Sequence, residues 1–367
     1  MSYSSSTLDA ARIFLTDCSR HEKANTFDDV LLEPQYSEIE SRKTIDLETH
    51  ISPLRTIKIP FVAANMDSVT EFAMALAMKN AGGIGILHRY MTYEKQLEEM
   101  HKVAFDNGLI NTVVGAAVGV KNGIIEHVKN LVNEGCKIVV IDVAHGFHKL
   151  VGDLLKELKA LNLMALDELP VEYMAGNVAT PDGARYLCES GADIIKIGVG
   201  PGSLCTTRIV TGHGIPQLIA IASCALVAAT FNRTLVADGG IRNSGDAVKA
   251  LAAGANTIMC GSLFAGTDES PGEVLTDVAG RKFKVFRGMA SSEAQKEFYG
   301  NDPEAPEGTT TTVQVKGPVE SILKQLVAGV RSGLSYSGCT NIKDFQEKSS
   351  WVNISNAGFK ESLAHLL

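Results

Sequence analysis

The 367-residue sequence predicts an α/β fold, and within that class a single (β/α)8 barrel. Three observations carry the prediction. Short apolar runs of strand length recur eight times, and each of the seven intervals between them can hold a helix. The ends of these runs gather function-capable side chains, as the C-terminal face of a parallel barrel does. No GxGxxG turn follows the first run, as an open dinucleotide-binding sheet would require.

The runs are Phe61–Asn65, Gly83–Leu87, Thr112–Ala117, Ile138–Asp142, Glu172–Gly176, Ile194–Gly198, Leu235–Asp238 and Thr257–Gly261. Between them, Thr70–Ala81 and Asn122–Gly135 space their apolar residues at helical intervals, and Ser244–Gly254 opens on a capping serine and closes on a glycine. Beyond the last run, 300–312 (GNDPEAPEGTTTT) is rich in Gly, Pro, Thr and acid and reads as a mobile loop. With the residues before it, it forms an active-site loop over 290–312. Residues 317–333 look helical, and the last residues look like an extended tail. No composition shift marks a boundary, so 1–367 reads as one catalytic domain.

Composition narrows the function classes. The chain is 45% apolar and 21% charged, which is globular. A formal net charge of −8 argues against a general nucleic-acid binder. No apolar run reaches membrane-spanning length, and neither a secretory leader nor a Ser-Lys-Leu terminus is present, so a cytoplasmic location is expected. The seven cysteines contain no CxxC pair, which fits a reducing compartment without a disulfide framework or structural zinc. Cys136, Cys188, Cys224 and Cys260 sit in apolar surroundings and read as core fillers.

The chemistry concentrates in Ile194–Arg208, IIKIGVGPGSLCTTR. A strand breaks into a turn whose glycines let backbone approach a ligand closely. Cys205 follows, next to Ser203, a phosphate donor. Two more glycine turns, Asp238-Gly239-Gly240 and Gly261-Ser262, close the next two runs. Barrels often bind phosphate with loops after strands seven and eight, using backbone amides and hydroxyls. Asp238 can accept both hydroxyls of a ribose. Together these residues describe a nucleoside monophosphate cradle beside a thiol.

GVGPGSLCTTR, with VADGGIR, MCGSLFAG and FRGM, resembles the IMP dehydrogenase/GMP reductase family over nearly the whole chain from about Thr26. The resemblance implies that Cys205 attacks C2 of the purine, with Thr207 and Glu307 as a proton relay; the bland readings are a helix cap and a solvated acid. It implies that Ser203, Asp238, Gly239, Gly240, Gly261 and Ser262 carry the ribose phosphate, and that Gly288, Met289 and Ala290 lie along the base. Asp142, Val143, Ala144 and Gly200 would line the nicotinamide site. Arg89 is either a partner for the 2′-phosphate of NADPH or a surface arginine. Carbonyls of Gly200, Gly202, Cys205 and Arg208 would hold potassium, and relatives imply a homotetramer.

Within the family the residues divide. There is no room for the paired nucleotide-sensing (CBS) insert of many dehydrogenases, and no arginine occurs between Arg287 and Arg331 to form the Arg-Tyr pair that activates hydrolytic water; only Tyr299 remains. Asn65 and the Asp142-Val143-Ala144 triplet resemble the reductase pattern. Val69-Thr70-Glu71, Gly82–Gly85 and the tail 358–362 look dehydrogenase-like, and Phe286 replaces a tyrosine that often helps bind phosphate. The expectation is reduction of GMP by NADPH to IMP and ammonia. An insert-less IMP dehydrogenase, a flavin barrel and a non-catalytic nucleotide-binding barrel are the alternatives.

Overall fold

The computed structural model describes residues 24–106, 113–121 and 123–362. Cys18, and the termini on which the leader and Ser-Lys-Leu readings rest, lie outside the described residues, as do Thr112 and Asn122 at the edges of two expected elements.

Eight parallel strands close into a barrel: β1 (Phe61–Ala63), β2 (Ile84–Leu87), β3 (Gly115–Val118), β4 (Ile138–Asp142), β5 (Glu172–Val178), β6 (Ile194–Ile197), β7 (Thr234–Asp238) and β8 (Thr257–Cys260). Each pairs with the next, and β8 returns to β1 through Ile258↔Phe61. Around them run α1 (Phe72–Ala81), α2 (Tyr93–Ala104), α3 (Ile124–Asn133), α4 (Lys149–Ala160), α5 (Pro181–Ser190), α6 (Gln217–Thr230), α7 (Ser244–Ala252) and α8 (Val319–Tyr336). This is the (β/α)8 barrel that the eight runs predict, with no inserted CBS domain.

Local chemistry starts and stops the helices. Thr180 accepts from the Gly183 amide, Pro181 follows it, and Gly191 ends α5 in the left-handed conformation. For α7 the cap is Asn243, whose side chain accepts from the Asp246 amide. The expected capping residue, Ser244, is instead the first helical residue, because Asn243 keeps the extended backbone a cap needs.

Two cores result. Outward strand residues such as Ile195 and Ile197 pack on the helices in a large buried cluster. Inward residues Val62, Ile84, Ile86, Ile138, Val140, Met174, Ile194, Val236 and Met259 fill the barrel itself. Each such side chain stabilises the fold by roughly 1.5–3 kcal/mol through burial. A hairpin of Thr49–His50 and Thr56–Ile57 closes the N-terminal mouth, pushing Ile51 and Ile57 into that inner cluster.

The sequence-based expectation fails in two places after β8. The stretch before α8 is built, not simply looped: Leu275–Thr276, Lys282–Arg287 and Thr310–Gln314 form an antiparallel sheet, and Ser292–Tyr299 is a helix. The helix lies inside the span assigned to an active-site loop, and Thr310–Gln314 overlaps its end. Nor do the described residues near the C-terminus form an extended tail. They hold a helix Ile342–Lys348, a strand Trp351–Asn353 paired to Val30–Leu32, and a helix Asn356–Glu361.

Candidate active site

Strand periodicity alone aims three charged side chains into the C-terminal mouth. Ile138 and Val140 face the barrel interior, so Asp142 does too; Ile194 leads to Lys196 and Val236 to Asp238. Lys196 Nζ sits 2.8 Å from Asp142 Oδ1 and 2.7 Å from Asp238 Oδ2. Asn177 Nδ2 also donates to Asp238 Oδ2, at 2.9 Å. Burial pushes the Asp142 carboxyl up, but Lys196 and Arg89 outweigh it and hold it below the ordinary value.

The cysteine loop follows β6. A β-carbon at Gly198 would lie 2.0 Å from the Asp238 carbonyl oxygen, and Gly200 takes φ +85°. Both positions therefore require glycine. Cys205 Sγ lies 3.1 Å from Thr207 Oγ1, which donates to Glu307 Oε2 at 2.8 Å. A hydroxyl has one proton to give. With that proton on Glu307, the S–H points at Thr207, and an unbroken path runs from the thiol to the carboxylate. Thr207 is not the helix cap; it is the first residue of the short helix Thr207–Thr211, and Thr206 precedes it as cap.

Glu307 is a hundred residues away in sequence, and backbone bonds bring it in. Thr206 N donates to Glu307 O at 2.9 Å, Glu307 N to Ala290 O at 3.1 Å, and Thr309 N to Leu204 O at 2.9 Å. Arg287 ties the segment inserted between β8 and α8 to the barrel: its Nε and a terminal nitrogen reach Asp67 Oδ2 at 2.8 and 2.7 Å.

A cavity of about 420 Å³ collects nearly every residue the sequence singles out, a volume suited to a small ligand. Cys205, Thr207 and Glu307 line it, with Ser203, Asp238, Gly239, Gly240, Gly261, Ser262, Gly288, Met289 and Ala290. So do Arg89, Asp142, Val143, Ala144, Gly200 and Gly202, whereas Arg208 does not. Phe286 lines it without a hydroxyl to offer.

Sequence reasoning did not assign Lys196, Asn177 or Tyr299 a role in the site. The period-2 signal was available for Lys196, a lone lysine two residues beyond an inward isoleucine. Tyr299 had no such signal, because its partner is distant in sequence: Arg89 donates to its hydroxyl at 2.8 Å, with Arg89 Nε 4.0 Å from Asp142. Arg89 is thus an internal tie here, not a surface arginine. A second cavity of about 450 Å³ adjoins the first and shares Arg89, Val143 and Tyr299 with it.

The other described cysteines are buried, and burial pushes their thiols up, to about 12 for Cys136, Cys188 and Cys224 and about 11 for Cys339. Cys205 alone among the described cysteines is half-exposed. No group of three acidic, His or Cys residues among the described ones could hold a metal. A monovalent cation would need carbonyls, and Gly202 O already accepts from the Cys205 amide at 3.0 Å. The Arg208 guanidinium packs by Gly200 and donates to Ile215 O at 2.7 Å, leaving only its carbonyl to serve. Any cation at this turn would have to be held through backbone oxygens alone. No described helix is long and apolar enough to cross a membrane.

Residues 24–365 match the family model of the IMP dehydrogenase / GMP reductase domain. The chain is 39% identical to inosine-5'-monophosphate dehydrogenase of Cryptosporidium parvum, over 94% of this chain and 95% of that one. It is 36% identical to that of Nitrosopumilus maritimus (93% and 98%), and 34% identical to GMP reductase of Leishmania donovani (93% and 96%). The fold is similar to that of a cysteine-to-alanine variant of Trypanosoma brucei GMP reductase in complex with guanosine 5'-monophosphate, with TM-score 0.87 and 31% identity over 95% of this chain and 99% of that one. Matched by that family model over 24–365, and more than 30% identical to these relatives over more than nine-tenths of its length, the chain belongs to the IMP dehydrogenase/GMP reductase family.

Proposed function

We propose that the protein is a GMP reductase, converting GMP and NADPH to IMP, ammonia and NADP. The observation that carries the choice is what the insertion brings to the cavity: Met289, Ala290, Gln295, Tyr299, Glu307 and Gly308, and no arginine. Hydrolysis of a covalent purine adduct needs a base for water; the insertion offers Tyr299 and Glu307, and in this reading Glu307 serves the proton relay to the leaving amine. The apolar Val143–Ala144 wall supports the same reading, as does the GMP bound by the T. brucei neighbour.

In this reading GMP lies with its phosphate at the Ser203, Gly239–Gly240 and Gly261–Ser262 turns and its ribose on Asp238. The Cys205 thiolate bonds to C2. The relay through Thr207 and Glu307 carries a proton to the exocyclic amine, and the C2–N bond breaks to release ammonia. Asp142, Val143 and Ala144 would hold the reduced nicotinamide, which would supply the hydride that C2 accepts. The C2–S bond then breaks, leaving IMP and a free thiolate. Gly200, Gly202, Cys205 and Arg208 would hold potassium through carbonyls that shape the loop. Arg89 would have to leave Tyr299 to meet a 2′-phosphate. A cytoplasmic homotetramer acting in purine salvage completes the reading.

One contact favours a second reading, an insert-less IMP dehydrogenase. The Arg89–Tyr299 bond assembles across two loops an arginine–tyrosine pair that is missing within the insertion. Two anaerobic assays separate the readings. GMP with NADPH should consume absorbance at 340 nm; robust NADH formation from IMP and NAD, with no NADPH oxidised by GMP, overturns the proposal.

A further inference from the structure

We infer that Lys196 is a positioning residue that couples the mononucleotide subsite to the nicotinamide subsite, by holding the acid of each with one ammonium. The inference rests on the functional reading above, which places ribose on Asp238 and the nicotinamide beside Asp142.

The geometry is built into three adjacent strands. In register, Asp142 of β4 pairs with Gly176 of β5, and Gly176 pairs with Lys196 of β6. The three positions stand at one level of the barrel, and the middle one has no side chain. A β-carbon on Gly176 would lie 2.7 Å from Lys196 Cβ and 2.5 Å from Lys196 O. The bare glycine thus leaves the gap through which Lys196 Nζ reaches Asp142 on one side while holding Asp238 on the other. Lys196 is 3% exposed yet lines the cavity. A lysine buried between two carboxylates stays charged, and removing it leaves two anions facing one pocket.

The arrangement makes the two ligands interdependent. Lys196 and Asn177 both donate to Asp238 Oδ2, which leaves Oδ1 to accept from a ribose hydroxyl. A ribose there fixes Asp238, hence Lys196, hence Asp142. The second ligand then meets an already ordered partner and binds more tightly.

The test uses IMP and NADPH, a pair that cannot exchange hydride under either reading, with NADH run in parallel. NADPH fluorescence is titrated with and without saturating IMP. The wild-type protein should show about tenfold tighter NADPH binding when IMP is present, within the usual range for coupled sites. Lys196→Gln, which keeps hydrogen-bonding capacity and loses charge, should reduce that factor to below about threefold, whereas Lys196→Arg should retain most of it. A wild-type factor of one, or full coupling in Lys196→Gln, overturns the inference. If the glutamine variant does not fold, Asp142→Asn, which removes the charge of one of the two carboxylates that Lys196 joins, decides: a factor below about threefold supports the role, and the full wild-type factor refutes it. A merely structural lysine would lower thermal stability and leave the ratio unmoved. Failure of the functional reading looks different: an IMP dehydrogenase would bind IMP but oxidise no NADPH with GMP, and a protein without a mononucleotide site would bind neither IMP nor GMP.

Discussion

Cys205, Thr207 and Glu307 form one proton path, so their substitutions should sort by role. Cys205→Ala should abolish turnover while GMP still binds, since the phosphate turns and Asp238 are untouched. Thr207→Val and Glu307→Gln break the path without removing the nucleophile, and each should lower kcat by about 10²–10⁴ with nucleotide KM little changed. Steady-state kinetics with GMP and NADPH check this; a Glu307→Gln enzyme at wild-type rate removes the relay. At this scale the sequence was most legible where chemistry is written locally. Cys205 and Ser203 sit in one glycine-rich loop, and Asp238 heads another. Lys196 was hidden by its apolar neighbours, and the Arg89–Tyr299 bond by a sequence separation of 210.

At the scale of elements, the barrel was readable because buried parallel strands are continuous apolar runs, such as Ile138–Asp142. The antiparallel sheet of the insertion was not. Its strands Lys282–Arg287 and Thr310–Gln314 are half-exposed and rich in Lys and Thr, and a composition of Gly, Pro and acid between them looks like a loop. That sheet delivers Glu307, so its attachment governs the site. Besides the backbone bonds to the cysteine loop, side chains fasten it, among them Arg287 on Asp67 and, from the helix Ser292–Tyr299, Phe298 stacked on Tyr90 with ring centroids 4.6 Å apart. Asp67→Ala should release the first, lowering kcat roughly ten- to a hundredfold through misplacement of Glu307. The barrel's melting temperature should change little, and limited proteolysis should cut the 288–312 segment faster. Unchanged kcat and proteolysis would show that the sheet alone holds the relay. Another inter-element tie predicts a pH dependence. Glu71 at the start of α1 bonds His88 beyond β2 and Lys95 on α2, and these hold its carboxyl down to about 2. A depressed carboxyl stabilises the folded state above its unfolded value near 4.5, and that contribution fades as pH falls toward 2. Glu71→Gln should therefore cost about 1–2 kcal/mol at pH 6 and about a quarter of that near pH 2.5, as read by denaturant titration at the two pH values.

The whole molecule divides its two ends between chemistry and stability, as barrels do. The C-terminal mouth is strained toward function: glycine turns, a half-exposed thiol and two acids sharing one lysine. The N-terminal mouth is sealed by the 49–57 hairpin and an ion network beneath it. Arg55 reaches Glu172 Oε2 at 2.8 Å and Asp167 Oδ1 at 2.9 Å, Lys137 meets Asp167 Oδ2 at 3.2 Å, and Ser52 bonds Glu172. Arg55, Lys137 and Glu172 are all buried. Removing one partner strands the others' charge in the interior, at a cost of about 3–5 kcal/mol. Arg55→Ala should therefore lower the melting temperature by roughly 5–10 °C. Below that transition, KM for GMP and NADPH should stay within about twofold of wild type, because the network sits at the opposite end of the strands from the cavity. Arg55→Ala paired with Glu172→Gln should recover part of the loss, since the stranded carboxylate goes with it. A fall in kcat without a fall in melting temperature would mean that the two ends of the barrel are not energetically separate, and that the hairpin plug acts on the site through the inner core of Ile138, Val140 and Ile194.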